Sequence, residues 1–437
     1  MKLRIVTAAI GVLSSCVLPA AAAVDRAKVD QLSASVEPKV IAWRRDIHEH
    51  PELSNRETRT AKLVADQLRR LGLEVQTGIA HTGVVGFLKG GRPGPTVAIR
   101  ADMDALPVTE KTDVPFKSHV TTTYRSETVG VMHACGHDSH TAMLMGIAQI
   151  FAGVRDSLPG NILFIFQPAE EGPPAGEEGG AELMLKEGLF DKYHPDVAFG
   201  MHVWAALRAG DIGYRSGPVM AAVDSFSIEV KGRQAHGSRP WQSVDPIVAS
   251  AQIISALQTV VSRDIDLTEN PAVVTVGAIK GGIRYNIIPD HVEMLGTLRT
   301  FTPEQRTAIL GHMKRIIENT AAANGATAEL TVEPGSDPVL YNDPALTKQI
   351  LPTLQRVAGA EHVKESAVIT ASEDYSYFAE KVPSVFFFVG ITPPDQDPLQ
   401  APSNHSDFFY LDERGIPVGM HAMTQVVLDY LESRQGH

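Results

Sequence analysis

Cysteine is scarce in this chain: of 437 residues, Cys16 and Cys135 are the two that carry a thiol. Cys16 lies in a segment laid out like a secretory signal, with Lys2 and Arg4, an apolar run from Ile5 to Leu18 and a small-residue end at Ala20 to Ala23. Cleavage is expected near Ala23, which makes residues 1–23 a signal peptide and the protein exported, periplasmic or secreted. Leu13-Ser-Ser-Cys16 also reads as a lipoprotein site that would retain Cys16. An uncleaved anchor fits less well, because the uninterrupted apolar run is short for a bilayer span. Once Cys16 has left, Cys135 stands alone and no internal disulfide can form. A lone thiol in an oxidising compartment is either deeply buried or held as a metal-bound thiolate.

Positive charge is also in short supply. Against 51 Asp and Glu stand 39 Lys and Arg, a net charge of −12. This balance argues against nucleic acid or an anionic membrane surface as partner and favours small molecules or metals. After the leader no stretch is long and apolar enough to cross a membrane. Internal repeats and long low-complexity tracts are missing too, and the length suits roughly two domains.

What is present is concentrated. His133-Ala-Cys-Gly-His-Asp-Ser-His140 packs three imidazoles, a thiol and a carboxylate beside one small pivot, Gly136. Thiolate and neutral imidazole are good ligands for a borderline-soft divalent cation, and Cys135 and His137 can turn toward one point across the glycine. Asp138 and Ser139 stand where a cap is expected for an apolar helix over Thr141 to Phe151. Read without a metal, Asp138 is a mere cap, and His133 and His140 are polar groups satisfied by backbone.

The rest of the chain reads as an α/β fold. Asp25 to His50 has helical spacing, with Pro38 a point of bending or interruption, and ends in His48-Glu-His-Pro-Glu52, whose two histidines diverge and read as structural. A second helix runs from Asn55 through Arg70. Short β-branched strands follow at Val84 to Leu88 and Thr96 to Arg100, the latter leading into Asp102 and Asp104. Asn161 to Gln167 is apolar almost throughout and runs into Glu170 and Glu171, Val197 to Gly200 into His202, and Ser384 to Val389 into Gly390. Beyond the carboxyl ends of such strands an open sheet forms its sites. From about Val219 to Val332 the pattern becomes strand, helix, strand, strand, helix, strand, an α+β insertion with helices on one face. Residues 25–217 and 335–437 are thus expected to form one domain, and 218–334 an inserted one with Gly/Pro hinges. The first fold resumes with helices over Pro344 to Val357, Glu373 to Glu380 and Arg414 to Ser433.

Adjacent carboxylates after a buried strand repel unless positive charge lies close by. A dinuclear metal centre supplies it: one of Glu170 and Glu171 coordinates while the other takes a proton from water, in one order or the other. Without a metal the pair is an acidic turn. Glu177 and Glu178 read as solvated surface or a helix start.

The motifs Arg100-Ala-Asp-Met-Asp-Ala-Leu-Pro107, Met132 to His140, Phe166-Gln-Pro-Ala-Glu-Glu-Gly172, Gly200-Met-His-Val203, Arg284-Tyr-Asn-Ile-Ile-Pro-Asp290 and Asn404-His-Ser-Asp-Phe408 together resemble one family. It is the metal-dependent amidohydrolases that include hippurate hydrolase, N-acyl-L-amino-acid amidohydrolase and plant auxin-conjugate hydrolases, and the likeness spans about Trp43 to the C-terminus. It implies a metallopeptidase-type catalytic domain, a mixed sheet flanked by helices, with an inserted lid that often serves as a dimerisation surface. It further implies two divalent metal ions bound by Cys135, His137, Glu171, His202 and His405, with Glu170 as general base. His236, in Lys231-Gly-Arg-Gln-Ala-His-Gly237, would reach the substrate's oxyanion, commonly across a homodimer. His194 competes with His202 but lies at the wrong end of its strand. His81, His119, His291, His312, His362 and His421 read as structural or surface.

The expected reaction is hydrolysis of the amide of an N-acyl or N-aroyl amino acid by metal-activated water, with Asn286 and Arg299 as candidates for gripping the substrate carboxylate. Alternatives are a dipeptidase or carboxypeptidase of the same superfamily, or a metal-carrying protein that binds acyl amino acids without cleaving them. Cys135 favours zinc, with manganese, cobalt and nickel also compatible with the mixed donor set.

Overall fold

The computed structural model describes residues 23–333 and 337–434. Residues 1–22, where a signal segment is expected, 334–336 of the expected exit linker and 435–437 lie outside them. An eight-stranded sheet runs in the spatial order Glu74–Ile79, Gly83–Lys89, Pro159–Gln167, Arg92–Asp102, Val197–Arg208, Ser384–Thr392, Ile212–Tyr214 and Val363–Glu365. The four central strands are parallel to one another, and an antiparallel neighbour flanks them on each side, so the sheet is mixed.

Side-chain alternation explains why the central runs are apolar throughout. Val97 and Ile99 pack on one face with Val36, Val40, Met143 and Val427 from three long helices. Ala98, between them, packs on the other with Ile165, Phe386, Ala181 and Phe378. Helices thus cover both faces and each strand feeds two cores. Full burial of one Val, Leu, Ile or Phe stabilises by ~1.5–3 kcal/mol, which fixes the register of these strands firmly.

Five local expectations are corrected. Pro38 does not interrupt the Arg26–Glu49 helix, because it sits on the exposed side, where the carbonyl that loses its donor faces water. The His137–Gly153 helix begins earlier than its apolar run, with Gly136 at the capping position and no side-chain cap. Asp138 is not a cap: it is buried in the first turn and accepts from Arg44 Nε at 2.8 Å. The Val197 strand runs on to Arg208, so His202 lies inside it, paired with Phe388. The Glu373 to Glu380 helix shrinks to Ser376–Ala379, since Glu373 and Asp374 are drawn to Arg100.

Residues 222–332 build a second, four-stranded sheet in the order Val273–Gly281, His291–Thr300, Ala222–Lys231 and Thr327–Val332, all neighbours antiparallel. The Pro246–Arg263 and Pro303–Ala323 helices pack on one face around a core of their own. A small hairpin, Thr121–Tyr124 with Glu127–Gly130, turns through Arg125 and Ser126, both at positive φ, as a two-residue turn matched to strand twist requires. Among the described residues no helix is long and apolar enough to cross a membrane.

Candidate active site

The parallel strands end together, and the loops beyond them converge. Gly136 lets the Cys135–His137 loop lie against the neighbouring strand: its φ is +101°, and a Cβ there would come within 2.2 Å of Val203. Cys135 Sγ then lies 3.3 Å from Nε2 of His202 and 3.3 Å from Nε2 of His405. His405 Nε2 is 3.1 Å from Glu171 Oε1, and His137 Nε2 is 3.9 Å from that oxygen and 3.7 Å from Glu170 Oε2. Two groups of donors share Cys135, one with His137 and His202 and one with Glu171 and His405, and His137 also groups with Glu170 and Glu171 and with Asp102 and His140. The sulfur is their shared corner.

Each imidazole is aimed by its other nitrogen. His137 Nδ1 donates to the Asp104 carbonyl oxygen at 2.9 Å, and His202 Nδ1 to that of Val203 at 2.6 Å. Both therefore turn an Nε2 lone pair inward, as a metal-ligating histidine requires. His140 is occupied on both sides, by Asp102 Oδ1 at 2.6 Å and the Val203 N–H at 2.9 Å. Buried His133 is kept neutral, its pKa pushed down to about 3 chiefly by desolvation, and it belongs to neither donor group. Exposed His194 also lies outside them. His48 bridges Asp138 and Glu110.

Divalent cations fit this cage. His137 Nε2 is buried without a hydrogen-bond partner, 3.9 Å from Glu171 Oε1, which has the His405 imidazole at 3.1 Å. Burial, with Glu171 and Glu170, holds the Cys135 thiol well above its ordinary value. Burial lowers His137, but Asp102, Asp104 and Glu171 outweigh it and push its pKa up to about 10. Burial also raises Glu170, helped by Glu373, Glu171 and Asp374. The site therefore carries an excess of negative charge that bound cations offset, converting thiol and imidazolium into ligands.

A cavity of about 830 Å³ opens over the cage, lined by Glu170, Glu171, His405, Tyr377 and, from the inserted sheet, Arg299. His236 and Asn286 do not line it. His236 is exposed on a two-residue strand paired with Ile287–Ile288, where the Asn286 carbonyl accepts the Gly237 N–H at 2.8 Å.

Sequence reasoning missed a set of residues under the cage. Arg100, 3% exposed, binds Asp102 at 2.7 Å, Glu373 at 2.9 Å and Asp374 at 3.0 Å, and Glu373 and Asp374 group with Glu170. Adjacent acids at Glu373 and Asp374 carry the same signal as Glu170 and Glu171. Asn404 is a second omission. Its amide donates to the carbonyls of Cys135 and Val203 at 3.0 and 3.2 Å, and its oxygen accepts the Ala205 N–H at 3.1 Å. It thus pins the His405 loop to both neighbours.

Sulfur, imidazole and carboxylate gathered at the floor of a cleft, with a further acid beside them, place the chain among metal-dependent hydrolases of amide bonds. Comparison with known proteins gives the family. The chain belongs to peptidase family M20/M25/M40, matched over residues 98–429. It is 40% identical over 394 residues to thermostable carboxypeptidase 2 of Saccharolobus solfataricus, covering 90% of this chain and 95% of that one. It is 42% identical over 316 residues to an N-acyl-L-amino acid amidohydrolase of Geobacillus stearothermophilus, covering 72% and 81%. A Bacillus subtilis crystal structure described as a dinuclear metal binding peptidase of this family superposes with a TM-score of 0.74 at 36% identity, covering 93% of this chain and 99% of that one.

Proposed function

We propose that this protein hydrolyses the amide joining an acyl or aroyl group to an amino acid that keeps a free carboxylate. The observation that carries the reading is a difference between two neighbours that both line the cavity and both approach His137: Glu171 also groups with Cys135 and His405, its Oε1 3.1 Å from His405 Nε2, whereas Glu170 groups with the acids Glu373 and Asp374. Cys135, His137, Glu171, His202 and His405 hold two divalent cations, zinc in first place, with manganese, cobalt or nickel as alternatives. When bound, these supply Lewis-acid charge to the amide carbonyl and the attacking water. Glu170 takes the proton of that water and delivers it to the leaving amine. Arg299 offers a guanidinium fork to the substrate carboxylate from the opposite wall.

Asn286 stands with Arg299 as a candidate for gripping the substrate carboxylate, and His236 completes the oxyanion site from a second subunit. Supporting this are the exposure of His236 and of its neighbours on the inserted unit, Trp241 at 76%, Ile283 at 98% and Tyr285 at 95%, an apolar surface suited to a homodimer. Export to the periplasm or medium rests on the layout of residues 1–23, and sequencing the mature N-terminus tests it.

A panel of N-acetyl and N-benzoyl amino acids run beside dipeptides tests the function. Hydrolysis of the N-acyl compounds, abolished by a chelator and restored by zinc, manganese or cobalt, is expected. Turnover confined to peptides would instead select the carboxypeptidase or dipeptidase reading, and binding without any product a non-catalytic role.

A further inference from the structure

Glu57 stands at the capping position of the Thr58–Arg70 helix, yet its side chain does not cap it. Glu52 does so instead, accepting the N–H groups of Arg59 and Thr60, each at 2.8 Å. The Glu57 carboxylate is buried and turned the other way, toward the loop that carries Glu170 and Glu171. Its Oε1 accepts the Asn55 N–H at 3.0 Å and the Ala169 N–H at 2.9 Å, and its Oε2 accepts the Thr82 hydroxyl.

The backbone held there is strained. Among the described residues eight other than glycine have positive φ, and four of them lie at these three attachments: Asn55 at +59°, Ala80 and His81, just before Thr82, at +46° and +75°, and Ala169 at +54°. Such backbone costs free energy and persists only where its surroundings over-determine it. Ala169 matters most to the site. Its carbonyl accepts the Gly172 N–H at 3.3 Å, so Glu170 and Glu171 are the two central residues of one turn, and the conformation at Ala169 sets how that turn leaves the Pro159–Gln167 strand. Asp104 accepts the next two N–H groups, those of Glu170 and Glu171. Three successive N–H groups thus end on two buried carboxylates. The far end of the loop is held from the same segment, by Asn55 Nδ2 donating to the Glu178 carbonyl at 3.0 Å.

We propose that Glu57 is a positioning residue: by holding Ala169 left-handed it sets the directions in which Glu170 and Glu171 leave their turn, one toward Glu373 and Asp374, the other toward Cys135 and His405. This role rests on the reading of Glu170 as base and Glu171 as ligand, and supplies what keeps the two neighbours apart. Shape matters here more than charge. Burial, then the nearby Asp104 carboxylate, outweighs the bonds from Thr82 and Ala169 and pushes the Glu57 pKa up to about 7, so an uncharged amide of the same outline can stand in its place. In Glu57→Gln the amide oxygen still accepts both N–H groups, and the Thr82 hydroxyl turns to accept from the new NH₂.

The test reads zinc affinity and turnover side by side. The full-length protein, as wild type, Glu57→Ala, Glu57→Gln and Glu57→Ala combined with Ala169→Gly, is titrated with zinc against a competing chelator. kcat and KM are then measured at saturating zinc on whichever N-benzoyl amino acid or dipeptide the wild type cleaves. Glu57→Ala is expected to lose about 10–100-fold in zinc affinity or in kcat, with KM little changed. Glu57→Gln should recover most of that loss. Ala169→Gly in the Glu57→Ala background should recover part of it, because glycine takes up a positive φ without the side-chain penalty. A loss of packing alone would not be repaired by removing a methyl group at Ala169. Circular dichroism identifies a variant that has failed to fold; if Glu57→Ala does, Glu57→Asp, whose shorter side chain withdraws the carboxylate from Ala169, takes its place. Wild-type zinc affinity and kcat in the folded variant, or a loss that Ala169→Gly does not reduce, overturns the role of Glu57. A wild type that cleaves neither class of substrate overturns the functional reading, while the zinc titration, which needs no substrate, still decides on Glu57.

Discussion

His137 and Asp104 meet twice: Nδ1 of the histidine donates to the backbone oxygen of the aspartate at 2.9 Å and lies 3.3 Å from its Oδ1. The same carboxylate accepts the N–H groups of Glu170 and Glu171, at 3.1 and 3.0 Å, and the Ser54 hydroxyl at 2.7 Å. One buried side chain thus orients an imidazole and both acids of the pair. Asp104→Asn turns an amide NH₂ toward backbone donors and removes an acceptor. Metal affinity or kcat/KM is expected to fall ~10–100-fold, the usual cost of losing such support, and metal stoichiometry beside kinetics checks it.

Glu170→Gln keeps the shape of the side chain and removes its ability to take a proton. If Glu170 is the base, turnover falls ~10²–10⁴-fold while both metals stay bound. Near-normal turnover, with metal content unchanged, would remove Glu170 from that role.

Much of the fold is legible in the chain because burial on two faces writes itself as continuous apolar runs, as in Pro159–Gln167 and Ser384–Thr392. The meeting of Cys135, His137, Glu171, His202 and His405 is legible for a related reason, since four of the five lie on or just after such runs or at the turn into a buried helix. What stayed hidden depends on distant partners. Nothing local to Glu373 reveals that Arg100, far away in sequence, lies against it. Asp138 looks like a cap from its neighbours, and Arg44 and His48, on the first helix, take it elsewhere.

Removing the cations should destabilise as well as inactivate. A ligand that binds only the native state at a hundred times its Kd stabilises by ~2.7 kcal/mol, and the proposed function gives this cage two. Exhaustive chelation is expected to lower the thermal midpoint by several degrees, with recovery on adding zinc, manganese or cobalt. Calorimetry with and without metal measures it.

Asn404 links three backbone groups on two segments. Asn404→Ala leaves the carbonyls of Cys135 and Val203 and the N–H of Ala205 without this partner and frees the His405 loop. At ~0.5–1.5 kcal/mol for each of three hydrogen bonds, a loss of ~1.5–4.5 kcal/mol in unfolding free energy is expected. Because His405 approaches Cys135 and Glu171 from that loop, metal affinity should fall more than stability alone predicts, and titration with a competing chelator reads this directly.

Arg100 is the sharpest test of how the site tolerates its own charge. Its guanidinium meets Asp102, Glu373 and Asp374 at once and donates to Gln167 at 2.8 Å, in surroundings from which water is excluded. Removing one partner of a buried pair costs ~3–5 kcal/mol because the other charge is stranded. Arg100→Met strands three carboxylates, so its cost should lie at or above that range, read as a lower urea midpoint or loss of soluble protein. Arg100→Lys keeps the charge but not the fork, and should recover part of the stability and little of the geometry. Glu373→Gln is the informative counterpart. It leaves Arg100 with Asp102 and Asp374 and removes a negative charge beside Glu170, so its stability loss should be much smaller than that of Arg100→Met. Equal losses would show that Arg100 stabilises by packing rather than by balancing charge.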